Sequence, residues 1–297
     1  MNQAADPPKM EGRVIAAHGR QYLVQLADGS LLRCFPRGKK SEVACGDRVD
    51  LARTSSDQGV IEAIQPRTSL LYRSNEIKQK LIAANVDQLI IVVATEPGFS
   101  DELVTRALLA AESEEIEVLI VLNKCDLADK LPVARQRLAM FEKLGYRVLE
   151  LSALEHAEDL RPALHGKTSV LVGQSGMGKS TLVNALFPEA QAATREISSA
   201  LDSGKHTTTH ATLYNLDPDS QLIDSPGLQE FGLGHLDRQE IELAFREFRP
   251  YLGQCRFRDC QHNREPDCVL TAAVKAGSID ERRFLTYHRI VGTQRAD

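Results

Sequence analysis

Between residues 11 and 64, short runs rich in β-branched and aliphatic residues alternate with turn residues. The runs are RVIAAHG, QYLVQLADGS, LLRCF, DRVDLAR and GVIEAIQP, punctuated by Asp28-Gly29 and Cys45-Gly46-Asp47. Five short strands in so small a span predict a closed β-barrel, and an OB-fold and an SH3-like barrel fit the pattern equally. Beyond Pro66 the texture changes. VDQLIIVVAT, IEVLIVLN, RVLELS, TSVLVG and QLID are nearly continuous apolar runs, and helical patterns over 100–112 and 132–144 lie between them. Such alternation predicts an α/β domain with a mostly parallel sheet covered on both faces. The last 60 or so residues read as helical, over 238–249 and 278–290, around a cysteine-rich loop. The expected organisation is a disordered lead-in over 1–10, a barrel over 11–66, the α/β domain over 67–236 and a helical module over 237–297.

Composition narrows the class only a little. The chain has 297 residues, 42% hydrophobic and 26% charged, as an ordinary globular protein does. Its longest apolar run, 89–94, is strand-length, well short of the roughly 20 residues of a membrane helix. The N-terminus MNQAADPPKM has no apolar signal core, so a cytoplasmic monomer without membrane contact is expected. The net charge of −5 is uneven. Residues 1–66 and 235–297 are each close to neutral, and the middle holds the acidic excess. That distribution permits contact with RNA at the two ends without demanding it.

Chemistry is concentrated in a few contiguous motifs. The run TSVLVG leads into Gly173-Gln174-Ser175-Gly176-Met177-Gly178-Lys179-Ser180, followed by Thr181 and a helical TLVNALF. This matches G-x-x-x-x-G-K-S, whose glycines let the backbone curl and aim N–H groups at phosphate oxygens. Lys179 supplies a point charge for the β- and γ-phosphates, and the Ser180 hydroxyl is a ligand for Mg²⁺. The base is read elsewhere. Asn123-Lys124-Cys125-Asp126 follows the strand IEVLIVL, and an Asp carboxylate there accepts two hydrogen bonds from guanine that adenine cannot donate. Ser152-Ala153, after RVLEL, is a weaker base-contacting element. Asp224-Ser225-Pro226-Gly227 ends QLID and fits D-x-x-G, with Asp224 toward Mg²⁺ and the Gly227 N–H toward the γ-phosphate. Between it and the P-loop lies Gly204-Lys205-His206-Thr207-Thr208-Thr209, where Thr208 is the expected switch ligand of Mg²⁺.

The order of these motifs is unusual. A P-loop GTPase ordinarily runs P-loop, switch Thr, D-x-x-G, N-K-x-D, S-A. Here N-K-C-D and S-A come first, as a circular permutation of the sheet would produce. D-x-x-G therefore closes the α/β domain and connects directly to the C-terminal module. Leu228 stands after D-x-x-G, where many GTPases have a water-orienting Gln, and a leucine cannot polarise water. His206 is the candidate substitute, with His210 a rival and a solvent-exposed loop histidine the plainer alternative. Lys179, His206 and Thr208 complete the expected catalytic set.

Three isolated cysteines (Cys34, Cys45, Cys125) contrast with Cys255, Cys260 and Cys268, which flank His262 in the pattern C-x4-C-x-H-x5-C. Three thiolates and an imidazole fill a tetrahedral Zn²⁺ site with no open position, so one structural zinc is expected. Arg256, Phe257, Arg258 and Arg264 on the same loop suit an RNA surface, or a solvated knuckle.

Barrel, permuted motifs and cysteine tail together resemble the ribosome small-subunit-dependent GTPase A family over essentially the whole chain. The resemblance implies an OB-fold for the N-terminal barrel, binding of ribosomal RNA, and subunit-stimulated hydrolysis of GTP during late maturation of the small ribosomal subunit. It also implies a catalytic part for His206. A non-ribosomal GTP switch whose zinc module binds a protein partner is the alternative.

Overall fold

A computed structural model describes residues 10–38, 42–75, 78–189, 211–225 and 232–293. Strands β1 (Met10–His18), β2 (Gln21–Leu26), β3 (Leu31–Pro36), β4 (Arg48–Arg53) and β5 (Gln58–Ile64) pair in the order β1-β2-β3-β5-β4, and β1–β4 pairing closes the barrel. The β3–β5 pair is parallel and the other barrel pairs are antiparallel, which makes this an OB-fold rather than an SH3-like barrel. Alternation along the strands sends Val14, Val24, Leu32, Val49, Leu51 and Ile61 inward as the barrel core. Of the expected lead-in, Met10 already belongs to β1, and the rest lies outside the described residues.

Strands β6 (Leu70–Asn75) and β7 (Lys78–Ala84) form a separate two-stranded hairpin that the apolar pattern did not reveal, since its distal half is polar. The main sheet follows: β8 (Gln88–Ala94), α1 (Asp101–Ser113), β9 (Glu117–Asn123), α2 (Leu131–Lys143), β10 (Arg147–Glu150), a short α3 (Arg161–Leu164), β11 (Thr168–Val172), α4 (Lys179–Leu186), β12 (Thr212–Asn215) and β13 (Gln221–Asp224). Its order is β10-β9-β8-β11-β13-β12, all parallel except β12. Every residue of β8, β11 and β13 is buried, as expected for strands covered on both faces. The chain winds outward from β8 through β9 to β10, then returns to β11 and proceeds the other way. This reversal between β8 and β11 is a topological switch point, where the C-terminal ends of parallel strands diverge and leave a crevice.

The barrel is fused to this sheet. β1 pairs with the edge strand β12 at Ala16–Thr212, and Ile15, Ala16, Leu23 and Cys45 enter the core of the main sheet. Across the junction the Arg13 guanidinium donates to Gln221 Oε1 (2.8 Å) and Thr168 Oγ1 (3.0 Å). Gly46 has φ +93°, and a side chain there would run into the Ala84 carbonyl.

The C-terminal part comprises α5 (Arg238–Ala244), α6 (Val269–Lys275) and α7 (Glu281–Thr293). Asp237 and Glu240 form a reciprocal capping box that starts α5. The expected helix over 238–249 stops at Ala244 because Phe245 turns extended, and Phe245 and Phe248 stack (4.6 Å) and pack edge-on to Tyr287. Burial of three aromatic rings outweighs the helical propensity of the following residues. The module grips α1 by two networks, the first buried and the second partly exposed. Arg283, 1% exposed, pairs with Glu247 (2.6 Å) and donates to Thr105 Oγ1 (2.8 Å). Glu112 accepts from Arg246 (2.6 Å) and Arg249 (2.7 Å).

Candidate functional site

Four of the expected motifs meet at the C-terminal edge of the parallel strands. The glycine-rich loop leaves β11 at Gly173 (φ +150°), where a Cβ would collide with the Val92 carbonyl, so the loop passes as closely over β8 as only glycine allows. It ends at Gly178 (φ +90°), the N-cap of α4, where a Cβ would strike the Asn123 amide. The loop must lie this close because Asn123 ties it down. Asn123 is 1% exposed; its Nδ2 donates to the Met177 carbonyl (2.9 Å), and its Oδ1 accepts from the N–H groups of Lys124 (2.8 Å) and Ala153 (2.9 Å). One amide side chain thus links N-K-C-D, S-A and the P-loop, and every hydrogen-bonding direction it uses is internal.

Lys124, at φ +63°, extends its ammonium to the carbonyls of Glu96 (2.7 Å) and Gly176 (2.8 Å). The Thr95 hydroxyl donates to the Lys124 carbonyl (2.9 Å). Thr95 and Glu96 escaped the sequence reading; the loop TEPGFS carries a turn signal and nothing that marks it as a wall of the site. Asp126 is exposed beyond this brace, with its carboxylate available to a ligand. Cys125 N–H bonds the Leu151 carbonyl (3.2 Å), which fixes the loop to the end of β10. Ser152 Oγ is buried and has no hydrogen-bond partner among the described residues.

On the phosphate side, Lys179 Nζ donates to the carbonyls of Gly173 (2.7 Å) and Gln174 (3.0 Å). Burial lowers the Lys179 pKa, opposed by Asp224, and burial raises the Asp224 carboxyl to about 6, opposed by Lys179. A divalent cation beside Asp224 would favour its ionised form. Ser180 and Thr181 are exposed at the start of α4, and Ser225 Oγ donates to the Leu171 carbonyl (2.7 Å), locking the end of β13 to β11. His206, Thr208 and Gly227 lie outside the described residues.

The cysteine cluster closes in space as its spacing predicts. The ligand atoms of Cys255, Cys260, His262 and Cys268 all lie within 4.8 Å of one another. Cys255 Sγ is 4.0 Å from Cys268 Sγ, and His262 Nδ1 is 3.5 and 3.3 Å from those two sulfurs. A tetrahedron with Zn–S of about 2.3 Å and Zn–N of about 2.0 Å has S–S edges near 3.8 Å and S–N edges near 3.5 Å. The donor set therefore fits a structural zinc. His262 turns Nε2 toward Glu242 Oε1 (3.6 Å), the outer carboxylate that orients many ligating imidazoles. Burial alone would raise the Glu242 carboxyl, but hydrogen bonds from His262, Tyr287 and Arg238 hold it at about 2. Glu242 had no signature in the sequence, since it precedes the cluster on a different element.

A P-loop, a guanine-type N-K-x-D loop preceding it in the chain, and a Cys3His knuckle on one scaffold define a circularly permuted, zinc-containing GTPase. The RsgA GTPase family model matches residues 64–234. A Burkholderia pseudomallei protein, Small ribosomal subunit biogenesis GTPase RsgA, is 58% identical over 288 residues, covering 95% of this chain and 92% of that one. The crystal structure of YjeQ from Thermotoga maritima superposes with a TM-score of 0.73 at 30% identity, covering 98% of this chain and all of that one. YloQ, a circularly permuted GTPase, gives 0.69 at 26%, covering 100% and 98%. The chain belongs to the RsgA GTPase family, and its activity is hydrolysis of GTP.

Proposed function

We propose that this protein binds the small ribosomal subunit in its GTP form, assists late maturation of that subunit and leaves after subunit-stimulated hydrolysis. The GTP chemistry rests on Asn123, which binds the base loop and the phosphate loop into one site. The ribosomal assignment rests on the 58% identity to a small-subunit biogenesis GTPase over 95% of the chain. In this reading Asp126 recognises guanine, Lys124 and Cys125 shape its pocket, and Ser152 and Ala153 complete it. Residues 173–181 cradle the phosphates, Ser180, Thr208 and Asp224 hold Mg²⁺, and Gly227 senses the γ-phosphate. His206 orients the attacking water. The OB-fold over 11–66 and the zinc module over 237–297 flank a G domain over 67–236 and contact ribosomal RNA. Arg33, Phe35 and Arg37 of the barrel and Arg256, Arg258 and the half-exposed Phe257 of the zinc loop supply cations and stacking surfaces. The protein acts as a cytoplasmic monomer.

Steady-state GTP turnover, measured with purified small subunits and with large subunits as a parallel control, tests this directly. Turnover is expected to be slow alone and to rise at least about tenfold with small subunits only, a gain of the size that positioning catalytic groups provides. Equal rates in all three mixtures would overturn the ribosomal reading. In the same assay His206→Ala is expected to lower stimulated turnover about a hundredfold while nucleotide affinity stays within a few-fold. An unchanged rate would remove His206 from the mechanism.

A further inference from the structure

Helix α1 lies between the phosphate loop and the zinc module and is held by both. At its N-terminus the Ser100 N–H donates to the side-chain oxygen of Gln174 (2.9 Å), while Ser100 Oγ caps the helix by accepting from the Leu103 N–H (3.3 Å). Gln174 is the second residue of the glycine-rich loop, and its main-chain carbonyl accepts from Lys179 Nζ (3.0 Å). One residue therefore holds the phosphate-binding ammonium with its backbone and the start of α1 with its side chain.

The zinc module follows α1 along its length. Arg282 and Arg289 of α7 approach Asp101 (3.9 Å) and Glu102 (3.6 Å) in the first turn. Arg283 reaches Thr105 in the second, and Arg246 and Arg249 take Glu112 at the far end. A 13-residue helix is a rod about 20 Å long, so displacement of its first turn is carried to the module rather than absorbed. A small cavity lined by Leu103, Val104, Ala107, Val92, Val172 and Gln174 lies between the N-terminal half of α1 and the sheet.

We propose that Gln174 is a positioning residue that transmits the state of the phosphate loop through α1 to the zinc module. Phosphate oxygens compete with the Gly173 and Gln174 carbonyls for the Lys179 ammonium. When the ammonium turns to phosphate, the Gln174 main chain loses one restraint while its side chain stays bound to α1. This route runs in parallel with the covalent link from D-x-x-G. By reciprocity, a partner that fixes the zinc module alters nucleotide affinity by the same factor. The inference depends on GTP binding alone and stands or falls independently of the ribosomal reading.

Amide hydrogen exchange of the full zinc-loaded chain, nucleotide-free or saturated with a non-hydrolysable GTP analogue, tests it. Amides of α7 are expected to differ in exchange rate by about fivefold or more between the two states, the low end of allosteric coupling. Gln174→Met, which keeps the length and removes the acceptor, abolishes that difference. Gln174→Glu, which keeps an acceptor oxygen, preserves it. Ser100→Ala loses the cap but retains the N–H and also preserves it, which separates coupling from helix fraying. Bound nucleotide is quantified in every sample; if Gln174→Met fails to retain it, Ser100→Pro, which deletes the donor, is read instead. No nucleotide-dependent difference in the unaltered chain, or a difference that persists without the acceptor or donor, overturns the proposal.

Discussion

Asp126→Asn is expected to weaken binding of GTP and GDP by about a thousandfold or more, and to create binding of xanthine nucleotides in its place. A carboxylate accepts from guanine N1–H and the 2-amino group together; an asparagine offers one acceptor and one donor, which opposes the 2-amino group. Sites built on such hydrogen bonds discriminate by about 10⁴ to 10⁵, because a mismatched buried partner is left unpaired. Xanthine carries an oxygen at that position and satisfies the asparagine donor. The variant should fold normally, since Asp126 is exposed and Asn123, not Asp126, makes the internal bonds of the loop. Calorimetric titration with GDP, xanthosine diphosphate and ADP gives the three affinities. GDP binding within tenfold of the unaltered protein would show that guanine is recognised elsewhere.

The second large effect concerns the zinc centre. His262→Ala is expected to reduce bound zinc from one per chain to nearly none and to unfold the loop over 255–268. Apparent binding free energies of structural zinc are about 10–16 kcal/mol, comparable with or larger than the whole stability of a typical domain. Around His262 the remaining structure cannot compensate. Glu242, Tyr287 and Arg238 form a hydrogen-bonded network against the imidazole, and its loss leaves a carboxylate half-buried without one of its partners. Metal analysis after gel filtration, together with limited proteolysis, measures both consequences. GDP affinity should fall no more than a few-fold, because the P-loop and base loop are carried by the sheet. A variant that keeps its zinc, or resists proteolysis without it, would contradict the assignment of His262 as a ligand whose metal holds the module.

The site was legible wherever its chemistry is contiguous. G-x-x-x-x-G-K-S shapes an anion-binding loop within eight residues, and the left-handed glycines that it needs are visible as Gly176 and Gly178. N-K-C-D is likewise local. So is the zinc knuckle, whose four ligands fall within 14 residues and can converge without help from the rest of the fold. The buried strands announced themselves because apolar runs of that length have no other stable place in a globular chain.

Other features depended on partners far away in sequence. The hairpin β6–β7 and the edge strand β12 are short and partly polar, and pairing rather than composition makes them strands. The end of α5 at Ala244 follows from aromatic stacking with a ring more than 40 residues on.

The sequence alone therefore determined the class of nucleotide, the permuted order, the zinc ligands and the α/β character, because each is written in contiguous residue types or in periodicity. The tertiary structure decided that the barrel is an OB-fold, through a parallel β3–β5 pair that periodicity cannot register. It alone joined base loop to phosphate loop through Asn123, phosphate loop to α1 through Gln174, and imidazole to Glu242. Asn, Gln, Ser and Glu are acceptable on almost any surface, so only the fold, by bringing distant segments within hydrogen-bond reach and excluding water, selects the few that couple the site to the rest of the molecule.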